Sequence, residues 1–375
     1  MIKKKKERIL ITGGAGFIGS HTADALLKKG FSIRILDNLK PPVHKGTWPA
    51  YIKDKGYELI KGDVSKKRDW EQALKDVDYV YHIAAFQDQL PEFSKFFSTN
   101  TLSTSYLYEL AASGKFPIKK AIVISTQFAY GDGAYQCSHD KEIFNPELRS
   151  LKQFEHHEWE VKCPHGKVAK PLEFQEDQKL SPTNSYGLSK IASENLALRL
   201  GKTYNIPTTV FRYSIVQGPR QSPYNMYSGA LRIFVIQALT GNPIIAYEDG
   251  KQRRDFVNIE DVVRANVMAL TDRRMDFQIY NVGGGRGYSI LEFAEIVKKI
   301  VNKKSEIIIP GLFRKTDTRH AVSSTKKIRA LGWSPKNNPE KSVRDYLELF
   351  KKTGFNAKSL AIPLEKLKKL GVVSE

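Results

Sequence analysis

A tyrosine and a lysine four residues apart, Tyr186 and Lys190 in "SPTNSYGLSKIASENLALRL", are the pair in this chain best suited to move a proton. On a helix beginning near Ser185 they stand one turn apart on one face. A free phenol titrates near pH 10, too high for a base at neutral pH. The ammonium of Lys190 favours the phenolate and brings Tyr186 into range. Upstream, "AIVISTQFAYGDG" runs an apolar strand into two more hydroxyls, Ser125 and Thr126, followed by the uncharged Gln127 and Phe128. A Tyr-x-x-x-Lys spacing is common by chance, so its meaning depends on the elements around it.

The first of those elements is "ILITGGAGFIGSHTADALLKKG", which sets Gly13, Gly16 and Gly19 between an apolar strand and an amphipathic helix. Gly13 permits the tight turn, Gly16 lets the backbone approach a pyrophosphate, and Gly19 allows close packing of helix on strand, while the helix N-terminus attracts the anion. A tight turn with no ligand reads the same way locally. The context favours a dinucleotide, because Asp37 ends the next strand where an acid binds the adenosine ribose hydroxyls. A carboxylate there repels a 2′-phosphate, so NAD is expected over NADP. Asp63 and Val64, ending "YELIKGDV", are placed to fix the adenine; Asp63 is equally suited to cap the helix that follows.

Strands "ILIT", "SIRILD", "YELIKGD", "YVYHIA", "AIVIST" and "TTVFRYS" alternate with amphipathic stretches, which predicts parallel βαβ units and a doubly wound Rossmann sheet. The expected organisation is an NAD-binding domain over 1–216, to which 255–283 returns, and a smaller substrate-binding domain from 217–254 and 284–375. "GALRIFVIQALTG", "SILEFAEIVKKIVNKK" and "SVRDYLELFKKTG" read as helices of the second region. Residues 135–182 break the rhythm and look like an irregular insertion. Apolar runs fall far short of the roughly 20 residues needed to span a bilayer, and no secretory h-region is present, so a cytoplasmic protein without membrane association is expected. The net charge of +20 is spread over scattered lysine pairs without interleaved aromatics, which fits a solvated surface better than a nucleic-acid partner.

With these motifs together, the chain resembles the extended short-chain dehydrogenase/reductases that act on nucleotide sugars. The resemblance runs from about Ile9 to Pro335 and rests on "TGGAGFIG", "HIAAF", "STQFAYG", "YGLSK", "RYSIVQGPRQ", "RRDFVNIEDV", "YNVGGG" and "LGWSP". It implies a catalytic triad of Thr126, Tyr186 and Lys190. It also implies cofactor contacts from Gly13, Gly16, Phe17, Ile18, Asp37, Asn38, Asp63, Val64, Ala84, Ala85, Tyr186, Lys190 and Tyr213. Substrate contacts would come from Phe86, Thr126, Gln127 and three arginines, Arg220, Arg254 and Arg319, the last two matching the family's phosphate-binding positions. Relatives that dehydrate or decarboxylate place an acid within two positions of the catalytic hydroxyl. Gln127 and Phe128 cannot transfer a proton, so a 4-epimerase working through a 4-keto sugar is implied. Ile215 and Gly229 stand where many relatives have Asn, which weakens a UDP-galactose reading. The stretch "RYSIVQGPRQSPYNMYSGALRIF" and the insertion resemble the branch acting on dTDP-L-rhamnose, with UDP-hexose or UDP-glucuronate 4-epimerases as the alternative. A catalytically silent NAD-sensing or RNA-associated protein would be expected to lack Tyr186 or Lys190. The resemblance also implies a homodimer through the helix around Leu102 to Ala112 and the helix of Tyr186.

Both cysteines of the chain lie in the insertion, too few for a disulfide scaffold. They form two Cys-x-His pairs, Cys137 with His139 and Cys163 with His165. Four such ligands could close a tetrahedral structural zinc site, with His156 or His157 as substitutes. Two buried thiols beside solvated imidazoles, or a disulfide, are the other readings.

Overall fold

In the computed structural model, residues 6–88, 91–225, 229–360, 365, 369, 373 and 374 are described. Two compact units emerge, Met1–Thr126 with Leu188–Tyr213 and Ile259–Tyr280, and Gln127–Gly187 with Ser214–Asn258 and Asn281–Glu375.

The first unit is built on strands β1 (Arg8–Thr12), β2 (Ser32–Asp37), β3 (Glu58–Lys61), β4 (Tyr79–His82) and β5 (Lys120–Thr126). With Thr208–Tyr213 and Gln278–Val282 they make a seven-stranded sheet in the order Gln278–Val282, Thr208–Tyr213, β5, β4, β1, β2, β3. Pairings from β3 through to Thr208–Tyr213 are parallel, and β1 neighbours both β2 and β4. The order reverses at β1, the switch point where doubly wound sheets bind ligands beyond the carboxyl ends of their strands. Every residue of β5 is buried, as a strand covered on both faces requires. Leu10, Val80, Leu107 and Val210 pack in one core with Trp70; each such aliphatic side chain contributes roughly 1.5–3 kcal/mol by leaving water. Helix α1 (Phe17–Lys28) buries Gly19, Ala23 and Leu26 and ends in basic Lys28, on the side its dipole favours.

The second unit pairs Arg253–Asn258 with Ile215–Gln217, Gly287–Ser289 and His320–Ala321. Helices Ala230–Thr240, Ile290–Val301 and Pro339–Thr353 fall on the three predicted stretches, and their core joins Phe234, Phe256, Phe293 and Tyr346. Ser289 and Glu292 form a reciprocal capping box, and Gly241 ends its helix in the left-handed region.

The insertion is more ordered than its sequence suggests. Ile143–Phe144, Tyr135–Gln136 and Lys170–Pro171 form a small antiparallel sheet. Tyr135, Cys137, Val161, Cys163 and Ala169 make a core of their own, with Phe144 against it. Periodicity could not reveal it because its strands are two residues long. Of the tail, Ala357–Leu360 is helical and most of the rest lies outside the described residues. Among the described residues no helix is long and apolar enough to cross a membrane.

Candidate active site

The turn after β1 needs its glycines. Gly13 has φ +66°, and a Cβ there would meet the Ala84 backbone at 2.8 Å; a Cβ on Gly19 would lie 2.3 Å from the Gly13 carbonyl. The loop therefore presses against the end of β4 on one side and against α1 on the other. Gly16 is the N-cap of α1 and offers no side-chain acceptor, and the first turn holds no acid, so the helix N–H groups face no competing anion of their own. Thr12 ties the two strand ends: its hydroxyl accepts from the backbone N–H of Ile83 and Ala84, both at 3.2 Å, and lies 2.8 Å from His82 Nδ1. Phe17 and Ile18 follow directly in the first turn of α1.

Asp37 is buried at the end of β2, where one carboxylate oxygen accepts from Ala15 N–H at 3.1 Å and the other from Leu39 N–H at 2.9 Å. Burial pushes its pKa up, opposed by these N–H groups and by His44 at 3.9 Å. Asn38 donates to Asp63 at 3.3 Å. Asp63 is not a helix cap, since it accepts from the Ser65 N–H and hydroxyl while the next helix starts at Lys67. Burial would raise its pKa, but the Lys40 ammonium at 2.7 Å and Ser65 hold it at about 2. Val64 is a core residue whose carbonyl accepts from Trp70 Nε1 at 2.8 Å.

Thr126 is the last residue of β5, buried beside Ser125, whose hydroxyl has no hydrogen-bond partner among the described residues. A buried polar atom without a partner points to a ligand or water. The helix Ser185–Thr203 carries Tyr186 half-buried and Lys190 buried, one turn apart as the spacing predicts. Lys190 Nζ donates to the Ile124 carbonyl at 2.5 Å. Burial brings its pKa down to about 8, against the pull of Glu194. Tyr186 meets the Phe128 ring edge-on at 6.4 Å. Gly187 makes that approach possible, because a Cβ there would lie 2.7 Å from the Phe128 carbonyl.

Over residues 9–152 and 162–283 the sequence matches the model of the "NAD dependent epimerase/dehydratase family". The chain belongs to that family. A dTDP-L-rhamnose 4-epimerase of Burkholderia thailandensis is 30% identical over 344 residues, covering 90% of this chain and 93% of the relative. A Thermus thermophilus UDP-glucose 4-epimerase in complex with NAD is 28% identical, with a TM-score of 0.72 over 92% of this chain and 99% of its own. A Bacillus cereus UDP-glucuronic acid 4-epimerase in complex with UDP-glucuronic acid and NAD is 25% identical, with a TM-score of 0.74 over 92% and 99%.

Against this family background the arginines need correcting. All five N–H groups of Arg319 are directed at carboxylates: Nε and Nη2 at Glu160, Nη1 at Glu248 and Asp249, and Nη2 also at Asp249, over 2.5–3.1 Å. The residue is 0% exposed, so it has no donor left for a pyrophosphate. Arg254 is also buried; its Nη1 and Nη2 donate to the carbonyls of Arg253, Arg319 and Thr318, and Nη2 forms an ion pair with Asp317 at 3.1 Å. Both match the family's phosphate-binding positions in sequence, which fixes the residue type but not its partners. Arg220 stands half-buried in a loop with φ +67°. The Tyr213 hydroxyl donates to Asn266 Oδ1 at 2.5 Å, so its proton is already committed. Gly229, at φ 93° and ψ 178°, occupies a region essentially closed to other residues, which accounts for the missing Asn. Residues 226–228 beside it, part of the stretch read as rhamnose-like, lie outside the described residues.

The sequence also left residues unnoticed. Asn100 sits in a π-helical turn, Phe97–Leu102, the kind of irregularity often found at functional sites. Its amide accepts from Phe86 N–H at 2.8 Å and donates to the Phe86 carbonyl at 3.0 Å and to Ser189 Oγ at 2.9 Å. It thereby fixes Phe86, and with it the loop of half-buried Ala84 and exposed Ala85, to the helix that carries Tyr186 and Lys190. Burial, with Lys190 nearby, lowers the pKa of His82 to about 3, so this imidazole is neutral between Thr12 and Ser103. No spacing rule links these partners.

Proposed function

We propose that the protein is an NAD-dependent nucleotide-sugar 4-epimerase that acts through a 4-keto intermediate, with dTDP-L-rhamnose as its substrate. The observation that carries this reading is the uncharged pair after Thr126. Gln127 is 1% exposed, and its Nε2 has no hydrogen-bond partner among the described residues, which suits a donor to substrate and not a proton-transfer group. NAD fits the glycine loop, the uncontested helix N-terminus and Asp37, whose carboxylate disfavours a 2′-phosphate. Bound there, it supplies a reversible hydride acceptor for oxidation of the C4 hydroxyl and reduction of the ketone on the other face. Tyr186 takes the C4 hydroxyl proton and returns it, Thr126 hydrogen-bonds the same oxygen, and Lys190 favours the phenolate. Arg220 is the cation we assign to the pyrophosphate. The exposed Phe97, Leu102 and Leu188 support a homodimer through the helices that carry them.

A turnover panel of dTDP-, UDP-, GDP- and CDP-sugars, read by NMR, should give the C4 epimer of dTDP-L-rhamnose without net NADH. Loss of water or carbon dioxide from the sugar refutes the epimerase reading. A UDP-hexose or UDP-glucuronate preferred by kcat/KM, which the relatives of known structure favour, refutes the substrate assignment alone.

The Lys190 pKa sets a pH dependence. The ammonium that favours the phenolate is present below about pH 8 and lost above it. Activity should therefore fall as pH rises through that value. Lys190→Arg keeps its charge at all accessible pH, so its pH–rate profile should lack this limb; an unchanged limb assigns it to another group.

A further inference from the structure

The insertion holds a cluster that the epimerase reading does not use. Cys137, Cys163 and His165 place one ligand atom each within 4.8 Å of one another. Cys137 Sγ and His165 Nδ1 are 3.6 Å apart. Bonds of about 2.3 Å from zinc to sulfur and about 2.0 Å to nitrogen separate those atoms by about 3.5 Å at the tetrahedral angle. Asp140 Oδ2 lies 3.4 Å from the same nitrogen and its carboxyl also interacts with Cys137, but it stands outside the set whose atoms are all within 4.8 Å of one another, so as a fourth ligand it has to turn inward.

The backbone also fixes where the two sulfurs lie. Cys137 and Cys163 each open a tight hairpin turn: Cys137 N–H donates to the Glu142 carbonyl and Cys163 N–H to the Lys167 carbonyl, both at 2.8 Å. Each turn then crosses the left-handed region, at Lys141 and Gly166. Inside the turns, the N–H groups of His139 and Asp140 are directed at Cys137 Sγ, and those of His165 and Lys167 at Cys163 Sγ. Both turns thus aim backbone N–H groups at sulfur and hold the two sulfurs within one ligand sphere with the His165 imidazole. Both cysteines are free of a disulfide and buried in the small core, while His165 and Asp140 close the outer side.

We propose that Cys137, Cys163, His165 and Asp140 form a structural zinc site that staples the two turns of the insertion. His139 is not in this set. Its backbone serves Cys137, and its ring lies against that of His165 with centroids 4.6 Å apart. Of the other histidines, His157 packs on Trp159 and His156 Nδ1 pairs with the Lys152 carbonyl. Two thiolates, an imidazole and a carboxylate in a closed tetrahedron suit zinc over harder cations.

The test uses the full chain, purified without a histidine tag or chelator. Elemental analysis should find close to stoichiometric zinc. Cobalt(II) exchanged into the site should show sulfur-to-metal charge transfer, and the band should fall by about half in Cys163→Ser if one of two thiolates is removed. Because Cys163→Ser can fail to fold, Asp140→Ala and His139→Ala are compared by zinc retention against a competing chelator. Faster loss from Asp140→Ala, with His139→Ala like the parent, supports the ligand set; the reverse pattern overturns it. Protein without zinc that takes up no cobalt overturns the site, as does an intact mass showing Cys137 and Cys163 joined as a disulfide.

Discussion

Tyr186→Phe should lower turnover by at least ~100-fold, the range for losing a general acid–base group. The substitution removes only the hydroxyl. The ring's edge-on contact with Phe128 and the close approach at Gly187 are unchanged, so the helix that carries Lys190 stays in place. Nucleotide-sugar affinity and NAD content should therefore be near the parent's, and the loss should fall on kcat. That split matters because a merely structural tyrosine would change affinity, NAD content and thermal stability together. Lys190, with its pKa near 8, is still charged at neutral pH in the variant but has no phenol to act on. Turnover like the parent's would sink the proposed chemistry, whatever the substrate.

Arg319→Ala should destabilise the protein by roughly 3–5 kcal/mol, the cost of removing one partner of a buried ion pair. Its guanidinium is 0% exposed, and Glu248 behind it is 3% exposed. Arg149 still holds Glu248 through two hydrogen bonds, at 2.9 and 3.0 Å, but Glu160 and Asp249 lose their shared cation. Burial would raise the pKa of Glu160, yet His320 and Arg319 hold it at about 2. In the variant that carboxyl should titrate higher. The parent's stability contribution is present above the free glutamate value and lost as pH falls toward 2, so the deficit of the variant should narrow in acid. Urea unfolding at several pH values measures both effects. An unchanged midpoint with a raised KM would return Arg319 to the pyrophosphate.

Much of this protein is legible locally. A strand buried on both faces must be apolar throughout, and β5 is; a turn with φ > 0 and no room for a Cβ must be glycine, and Gly13 is. The sheet, the nucleotide loop and the Tyr186–Lys190 spacing follow from such short-range demands, which leave their mark within a few residues. Charge pairing leaves no such mark. The acids that occupy Arg319 come from 70 to 159 positions away, so the sequence shows a cation and hides whether it is already neutralised. Asn100 reaches Ser189 across 89 positions for the same reason. In the insertion the lesson is finer. His139 and Asp140 are neighbours in sequence, and the Cys-x-His pairing marks only the imidazole as a candidate ligand. The hairpin turn instead spends the His139 backbone on Cys137 and brings the Asp140 carboxylate to His165. Sequence determined which chemistries this chain can support; which side chains are left free to perform them was decided by tertiary structure, because a buried polar group is costly unless it is paired and only the fold says which groups are paired and which, like Ser125 Oγ and Gln127 Nε2, have no partner among the described residues.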